Sequence, residues 1–370
     1  MKARYQYRFY PTDHQKGDLA RMFGCVRVVF NDALALCLKS EKKPSINELS
    51  AALTASKKAE ERKWLREVSS VALQQSIADL EAAYKNYFES KSGKRKGKAV
   101  SRPKFKKKEN AQSARFARNG FTFSNGVFSL AKIGHVSVVW SRPMPFEPSS
   151  VTVIKDCANR YFVSFVLEIE APQVPAQNQS VGIDLGIKTF AALSNGEMVQ
   201  APNIKADDRK VRKLQKQLAR CKDGSNRRNI VKLKIAKAHN KIKDARKDFQ
   251  HKLSTRLITD FQNIVLEDLN VSGLMKNRKL ARAIGNQAWY QFRTLLKGKC
   301  DKFGRTFKVI SRWEPTSQVC SSCGFRWGKL DLKVRSVKCL NCGTEHDRDL
   351  NAAINIQMVG MGHRHDLKRA

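Results

Sequence analysis

Three carboxylates occupy positions where an acid needs a reason. Asp184 interrupts the apolar run Val181-Gly-Ile-Asp184-Leu-Gly-Ile-Lys-Thr, Glu267 closes Asn263-Ile-Val-Leu-Glu267, and Asp349 opens a helical pattern in His346-Asp-Arg-Asp349-Leu-Asn-Ala-Ala. An acid in a buried strand must be paired or must bind a cation, because burying a lone charge is costly. The three lie 83 and 82 residues apart, so only tertiary folding can gather them. A gathered set would suit two Mg²⁺ ions about 3.5 to 4 Å apart, which activate a water and stabilise the leaving oxygen of a phosphodiester. Each acid also has a plainer reading. The Asp184 pattern fits nucleotide-binding ATPases of the actin-like type, or an Asp accepting turn hydrogen bonds. Glu267 fits an exposed strand end, and Asp349 a helix cap. Asp347 competes with Asp349 for the third place.

Four thiols form the most specific pattern. Cys320-Ser-Ser-Cys323-Gly and Cys339-Leu-Asn-Cys342-Gly are separated by fifteen residues. This matches a four-cysteine zinc ribbon, with each thiolate about 2.3 Å from one tetrahedral Zn²⁺. Four thiolates close the shell and leave no place for water, so the role is structural. Nine cysteines in all are too few and too unevenly placed for a disulfide scaffold, which fits a reducing compartment.

Lys and Arg outnumber Asp and Glu 71 to 33, a formal charge of +38 that a polyanion must offset. Nucleic acid is the leading partner. An anionic membrane is the rival, yet no apolar run approaches the roughly 18 residues of a spanning helix. The first residues alternate Tyr5, Tyr7 and Phe9 with polar residues, a strand pattern rather than a signal peptide, so a cytoplasmic, nucleoid-associated protein is expected.

The positioning elements follow from periodicity. Thr12 and Gln15 form a capping-box pattern, and helical spacing continues to about residue 90, a small bundle. Lys91 to Arg118 holds twelve basic residues against one acid. Among them, Lys94, Arg95, Lys96, Arg102, Lys104, Lys106, Lys107 and Lys108 are candidate phosphate contacts. This segment reads either as a solvated linker or as a phosphate-tracking surface on which Phe105 and Phe116 stack bases. Short strands then run from Phe121 to Glu170, a small barrel or sheet that the first strand completes, with the helices inserted. Residues 171 to 180 form a linker, and residues 205 to 257 two basic helices joined by a turn. The tail from Met358, with His363 and His365, reads as disordered.

At these residues the chain resembles the TnpB (OrfB) family, insertion-sequence proteins similar to type V CRISPR nucleases. Arg8-Phe-Tyr-Pro-Thr12, Val29-Phe-Asn-Asp-Ala33, Asp248-Phe-Gln-His-Lys-Leu-Ser-Thr255 and Thr316-Ser-Gln-Val-Cys-Ser-Ser-Cys-Gly324 look like its motifs, over nearly the whole chain. The resemblance implies an α+β multidomain protein. A RuvC-like, RNase H-like α/β nuclease domain (177–316 and 346–358) would be split by a target-nucleic-acid-binding zinc ribbon (317–345). A wedge β-barrel (1–12 and 96–172) would carry a helical recognition insert (13–95), and 359–370 would be a disordered tail. It implies Asp184, Glu267 and Asp349 as the Mg²⁺-binding catalytic triad, the Asp349-x-Asn351 pair as the third motif, and Arg348 near the substrate phosphate. A transposon-derived guide RNA and target double-stranded DNA become the expected partners, and a homodimer is compatible. DNA would be cut beside a short transposon-adjacent motif, with base pairing supplying sequence specificity. The rivals are a guide-independent nuclease acting on branched DNA, a non-cutting RNA-guided repressor, and a strand-joining transposase.

Overall fold

Alternating residues at the start of the chain do form a strand, and it belongs to a sheet built mostly from residues beyond position 110. A computed structural model describes residues 1–363 apart from 96, 171–173, 176, 329 and 332. Lys96, part of the expected linker, and His365 with the end of the tail therefore lie outside the described residues. The chain divides into two units, Met1–Glu170 and Ala171–Ala370. No helix among the described residues is long and apolar enough to cross a membrane.

In the first unit, β1 (Lys2–Phe9) leads through Thr12 into α1 (Asp13–Lys39), where Thr12 and Gln15 complete both halves of the capping box. α2 (Ile46–Lys58) and α3 (Ser70–Lys91) follow. Strands β2 (Gln112–Ala117), β3 (Phe121–Ser124), β4 (Val127–Leu130), β5 (Gly134–His135), β6 (Val138–Val139), β7 (Ser150–Lys155) and β8 (Tyr161–Glu168) complete the unit. They form a five-stranded antiparallel sheet, β2-β7-β8-β1-β6, and a three-stranded sheet, β3-β4-β5. Helices and sheets share one core, in which Leu19, Leu34, Leu73 and Leu80 join Tyr7, Phe9, Phe116, Phe128 and Phe165.

Two expectations for the basic segment need correction. Its C-terminal part is not linker but β2, paired with β7 from Gln112↔Lys155 to Ala117↔Ser150. Phe116 is completely buried and cannot stack on a base, whereas Phe105 is exposed. The alternation Ala114, Phe116 places those residues inward, a strand signal hidden by the surrounding lysines. Lys106 is also committed to the fold: its backbone exchanges hydrogen bonds with the Asn31 amide at 2.8 and 3.1 Å, and its ammonium lies 4.0 Å from the Phe30 ring centroid.

The second unit is a three-layer sandwich. Its strands are β9 (Ser180–Leu185), β10 (Ala191–Leu193), β11 (Met198–Val199), β12 (Asn263–Glu267) and β13 (Thr306–Ile310), in the order β11-β10-β9-β12-β13. β9, β12 and β13 run parallel. Between β11 and β12 stand the basic helices α4 (Lys205–Ala219) and α5 (Asn226–Asp260); between β12 and β13 stand α6 (Val271–Leu274), α7 (Ala281–Gln287) and α8 (Trp289–Phe303). A hairpin of β14 (Ser336–Lys338) and β15 (Glu345–Asp347) precedes α9 (Arg348–Met361). The helix thus runs on to Met361, inside the segment expected to be a disordered tail, and ends at Gly362 in the left-handed conformation.

Side-chain alternation decides which face carries what. Val181 and Ile183 of β9, with Ile264 and Leu266 of β12, pack against Leu253 and Leu257 of α5 and Phe292 and Leu296 of α8. The opposite parity, Gly182 and Asp184 on β9 and Val265 and Glu267 on β12, falls on the face covered by α9, where Val265 packs with Ile356. A Cβ on Gly182 would lie 2.1 Å from the Ala353 carbonyl oxygen and 2.5 Å from the Gln357 amide, so the helix sits directly on the strand. Gly182→Ala should therefore push α9 away and destabilise this unit by about 3 kcal/mol or more, because backbone on both sides cannot yield as a side chain can. Chemical denaturation monitored through this unit checks it.

Candidate functional site

The same parity that seats α9 brings the acids together. β9 and β12 are in parallel register through Ile183↔Leu266, and the next position on each strand is an acid, Asp184 and Glu267. Both lie at the carboxyl ends of parallel strands, where open α/β sheets place their sites. α9 runs antiparallel to β9: Ala353 and Gln357 pack on Gly182, and the Gln357 side-chain amide donates to the Ser180 carbonyl at 3.0 Å. Its first turn, with Asp349, therefore lies at the strand end that carries Asp184.

The electrostatics agree. Burial, then the negative charges of Asp349 and Glu267, push the Asp184 carboxyl up to about 7, with the Arg348 guanidinium opposing them. Glu267 is also raised, by burial and then by Asp268, against Arg312. The acids share one field without being closed around a common point: among the described residues the four cysteines are the one cluster with metal-ligand closeness. Asp349 is turned toward Arg335, whose Nη1 donates to both carboxylate oxygens at 3.2 Å. Three oxygen donors of this kind, two of them desolvated, suit hard divalent cations such as Mg²⁺.

Asp347 and Asp349 differ in their local roles. Asp347 is the N-cap of α9, its Oδ1 accepting from the amides of Asp349 and Leu350 at 3.0 Å. That leaves Asp349 as the acid in the field of Asp184. Arg348 reaches the same field while donating to the Asp331 carbonyl at 3.0 Å. Asn351 proves to be a buried clamp rather than a partner of the acids. Its Oδ1 accepts from the Ser321 amide and its Nδ2 donates to the Val319 carbonyl, both at 2.8 Å. Asn355 adds 2.8 Å bonds to the carbonyls of Thr316 and Val319. Two asparagines in an otherwise apolar helix face, at i and i+4, were the available signal for this docking of the cysteine segment onto α9.

Two matching turns hold the thiols. The Gly324 amide donates to the Cys320 carbonyl and that of Gly343 to the Cys339 carbonyl, while the Cys320 and Cys339 amides donate to Phe325 and Thr344, all at 2.9 Å. Gly324 and Gly343 take φ of 76° and 73°, which a side chain would resist. The four Sγ atoms lie within 4.8 Å of one another, with Cys320–Cys342 at 3.7 Å and Cys323–Cys339 at 3.6 Å. A tetrahedral zinc with bonds of about 2.3 Å requires sulfur–sulfur edges of about 3.8 Å. The thiol set fits zinc. His346 Nε2 lies 3.1 Å from Cys320 Sγ and can steady that thiolate.

One residue missed in the sequence is Asp268. It holds two guanidiniums beside Glu267, accepting from Arg293 at 2.6 Å and from Arg312 through Nε at 3.1 Å, and they keep its carboxyl below the usual range. Among the other basic candidates, Lys94, Arg95, Arg102, Lys104, Lys107 and Lys108 fall in the described part of the first unit.

Fold and site together define a mixed α/β protein with an acid-edged sheet and a four-thiol cluster of zinc-ribbon type. The OrfB_IS605 family model, described as "Probable transposase", matches residues 164–278, and "Cas12f1-like, TNB domain" matches residues 289–356. A "Helix-turn-helix domain" model matches residues 1–43, where the structure has β1 and one unbroken helix, α1. A "Putative RNA-guided DNA endonuclease" of Streptomyces pristinaespiralis is 44% identical over 98% of this chain and 90% of that relative. "Putative RNA-guided DNA endonuclease InsQ" of Escherichia coli strain K12 is 30% identical over 96% of this chain and 92% of its own. Among solved structures, the Cas12f1 chain of a Cas12f1–sgRNA–target DNA complex has the same fold, with a TM-score of 0.54 at 12% identity, covering 96% of this chain and 98% of that one. The chain belongs to the TnpB (OrfB) family.

The Asp184 shift carries a stability consequence. Its folded pKa, about 7, lies above the ordinary 3.8. Between those values the unfolded chain gives up the proton and the folded one keeps it, so stability falls as pH rises from about 4 to about 7 and is flat above. Asp184→Asn should thus melt higher than the metal-free wild type at about pH 8, with the gap closing toward pH 4. Added Mg²⁺ should raise the wild type at about pH 8 and not the variant. Calorimetry across that pH range checks both.

Proposed function

We propose that this protein is an RNA-guided DNA endonuclease of an insertion sequence. Asp184, Glu267 and Asp349 would form its divalent-cation site, in a RuvC-like domain spanning 177–316 and 346–358. Two relatives that bear the name "Putative RNA-guided DNA endonuclease" match nearly end to end, which supports guide RNA and target DNA as partners. The single observation that carries the reading to this chain's residues is Asp184, desolvated at a parallel strand end in the field of the other two acids. An excess of 71 basic over 33 acidic residues suits a protein that grips an RNA and a heteroduplex by their backbones.

Bound divalent cations would supply the Lewis acidity for phosphodiester hydrolysis, most simply as a Mg²⁺ pair. The chain's residues do the remainder. Asp184 and Glu267 present oxygens from rigid strand ends, and α9 presents Asp349. Arg335 holds Asp349, and a bound cation would compete with it for the same oxygens. Arg348 and the Asp268-anchored Arg312 place positive charge where a strand's phosphates would lie. The ribbon of 317–345, with zinc at Cys320, Cys323, Cys339 and Cys342, would stiffen the α9 end of the site and contact the target. In the first unit, residues 1–12 and 96–172 would act as a wedge-type barrel and 13–95 as its recognition insert.

The test is to purify the protein with its native flanking DNA present and sequence the RNA that stays bound. A discrete RNA ending in a variable segment supports guidance. Protein free of RNA that still cuts DNA would favour a guide-independent nuclease.

A further inference from the structure

The turn that follows β13 carries an aromatic side chain that the fold does not use. Glu314 closes the turn by donating its amide to the Ser311 carbonyl at 3.2 Å, which puts Arg312 and Trp313 at the corners. Trp313 is 87% exposed, against 37% for Trp64 and 60% for Tyr290. Its amide donates to Ser311 Oγ at 3.3 Å, fixing the backbone, and among the described residues no ring or cation stacks on the indole. An indole left in water on an ordered turn gives up a large apolar contact, so a planar partner gains much by covering it.

Its position names the partner. β13 is parallel to β12 with Ile310 opposite Glu267, so this turn leaves the same sheet edge that bears Glu267 and Asp184. The Asp268 amide donates to the Ile310 carbonyl at 3.1 Å, tying the two strand ends together. Arg312, next to Trp313, is anchored on Asp268 together with Arg293, which leaves one net positive charge from three groups. A flat apolar face beside an oriented guanidinium matches the alternation of base and phosphate along an unpaired nucleic-acid strand.

We infer that Trp313 is a stacking platform for an unpaired base of a single strand lying along this sheet edge, with Arg312 on the neighbouring phosphate. Calling that strand the one to be cut rests on the function proposed above. Stacking on an aromatic side chain changes single-strand affinity by about 5- to 150-fold per base when the ring is removed.

The test uses the full-length protein with its bound RNA and an oligodeoxythymidine strand as the probe. Wild type should show tryptophan fluorescence quenching on titration, and Trp313→Phe should lose that quench while binding nearly as well. Trp313→Ala should bind on the order of tenfold more weakly. In cleavage, its KM should rise with kcat unchanged, and Trp313→Tyr should restore binding. Equal quenching in wild type and Trp313→Phe, or unchanged affinity in Trp313→Ala, overturns the inference. Failure here with Asp184-dependent cleavage intact rejects the platform alone. Cleavage that survives Asp184→Ala, with the Trp313 effect intact, rejects the nuclease assignment alone.

Discussion

Asp184→Ala is expected to lower Mg²⁺-dependent DNA cleavage on the order of a thousandfold or more, equivalent to about 4 kcal/mol of transition-state stabilisation, while RNA binding stays intact. The size follows from geometry. Asp184 lies on β9, the middle strand of the sheet, on the face covered by α9, next in register to Glu267 and in the field of Asp349. At the proposed site, removing it deletes the carboxylate that would hold a cation together with the other two acids, and alanine offers no oxygen in its place. Its removal also relieves a buried charge, so the variant should be at least as stable as wild type near neutral pH, and lost activity cannot be assigned to unfolding. Glu267→Gln should behave alike. Asp347→Asn, which alters a helix cap, should keep most of the activity and lose at most about 1 kcal/mol of stability.

Stripping zinc, or replacing Cys339 by serine, is expected to have the second largest effect. Zinc held by four thiolates contributes on the order of 10 kcal/mol to ordering such a segment. Little else holds this one: its own regular structure is the β14–β15 hairpin, three residues on each side. Without the knuckles, Asn351 and Asn355 lose carbonyl partners at Val319 and Thr316 while remaining buried in α9, and each orphaned group costs about 1 to 3 kcal/mol. The disturbance reaches Asp349, because Arg335 and the helix start belong to the same connection. Chelation should therefore abolish cleavage even with Mg²⁺ restored, and protease should cut within 317–345 before the β9–β12 sheet opens. Retained cleavage after complete zinc removal would show that α9 is positioned without the ribbon.

What could be read from the residues, and what could not, divides along physical lines. Short apolar runs carrying one acid each marked β9 and β12, because a charge in a buried strand stands out against its surroundings. The capping box at Thr12 marked α1, since it is a purely local interaction. Paired Cys-x-x-Cys-Gly turns marked the metal site for the same reason. β2 was obscured because Gln112, Ser113 and Arg115 continue the polar, basic character of the lysine-rich run before it, leaving only Ala114 and Phe116 to show the buried side. No role for Asp268 or Trp313 was legible. Their roles come from the register of β12 with β13, a relation between segments more than forty residues apart. Asn351 was visible as a motif residue, but only the packed α9 shows that it holds the first knuckle.

The most direct test of the central claim is plasmid cleavage directed by the protein's own RNA. Wild-type protein, loaded with the RNA it carries and given Mg²⁺, should linearise a plasmid bearing the sequence complementary to that RNA's variable segment. It should spare one in which that sequence is scrambled, and Asp184→Ala should leave both intact. Equal cutting of both plasmids would contradict guidance by RNA, and cutting by Asp184→Ala would contradict the site.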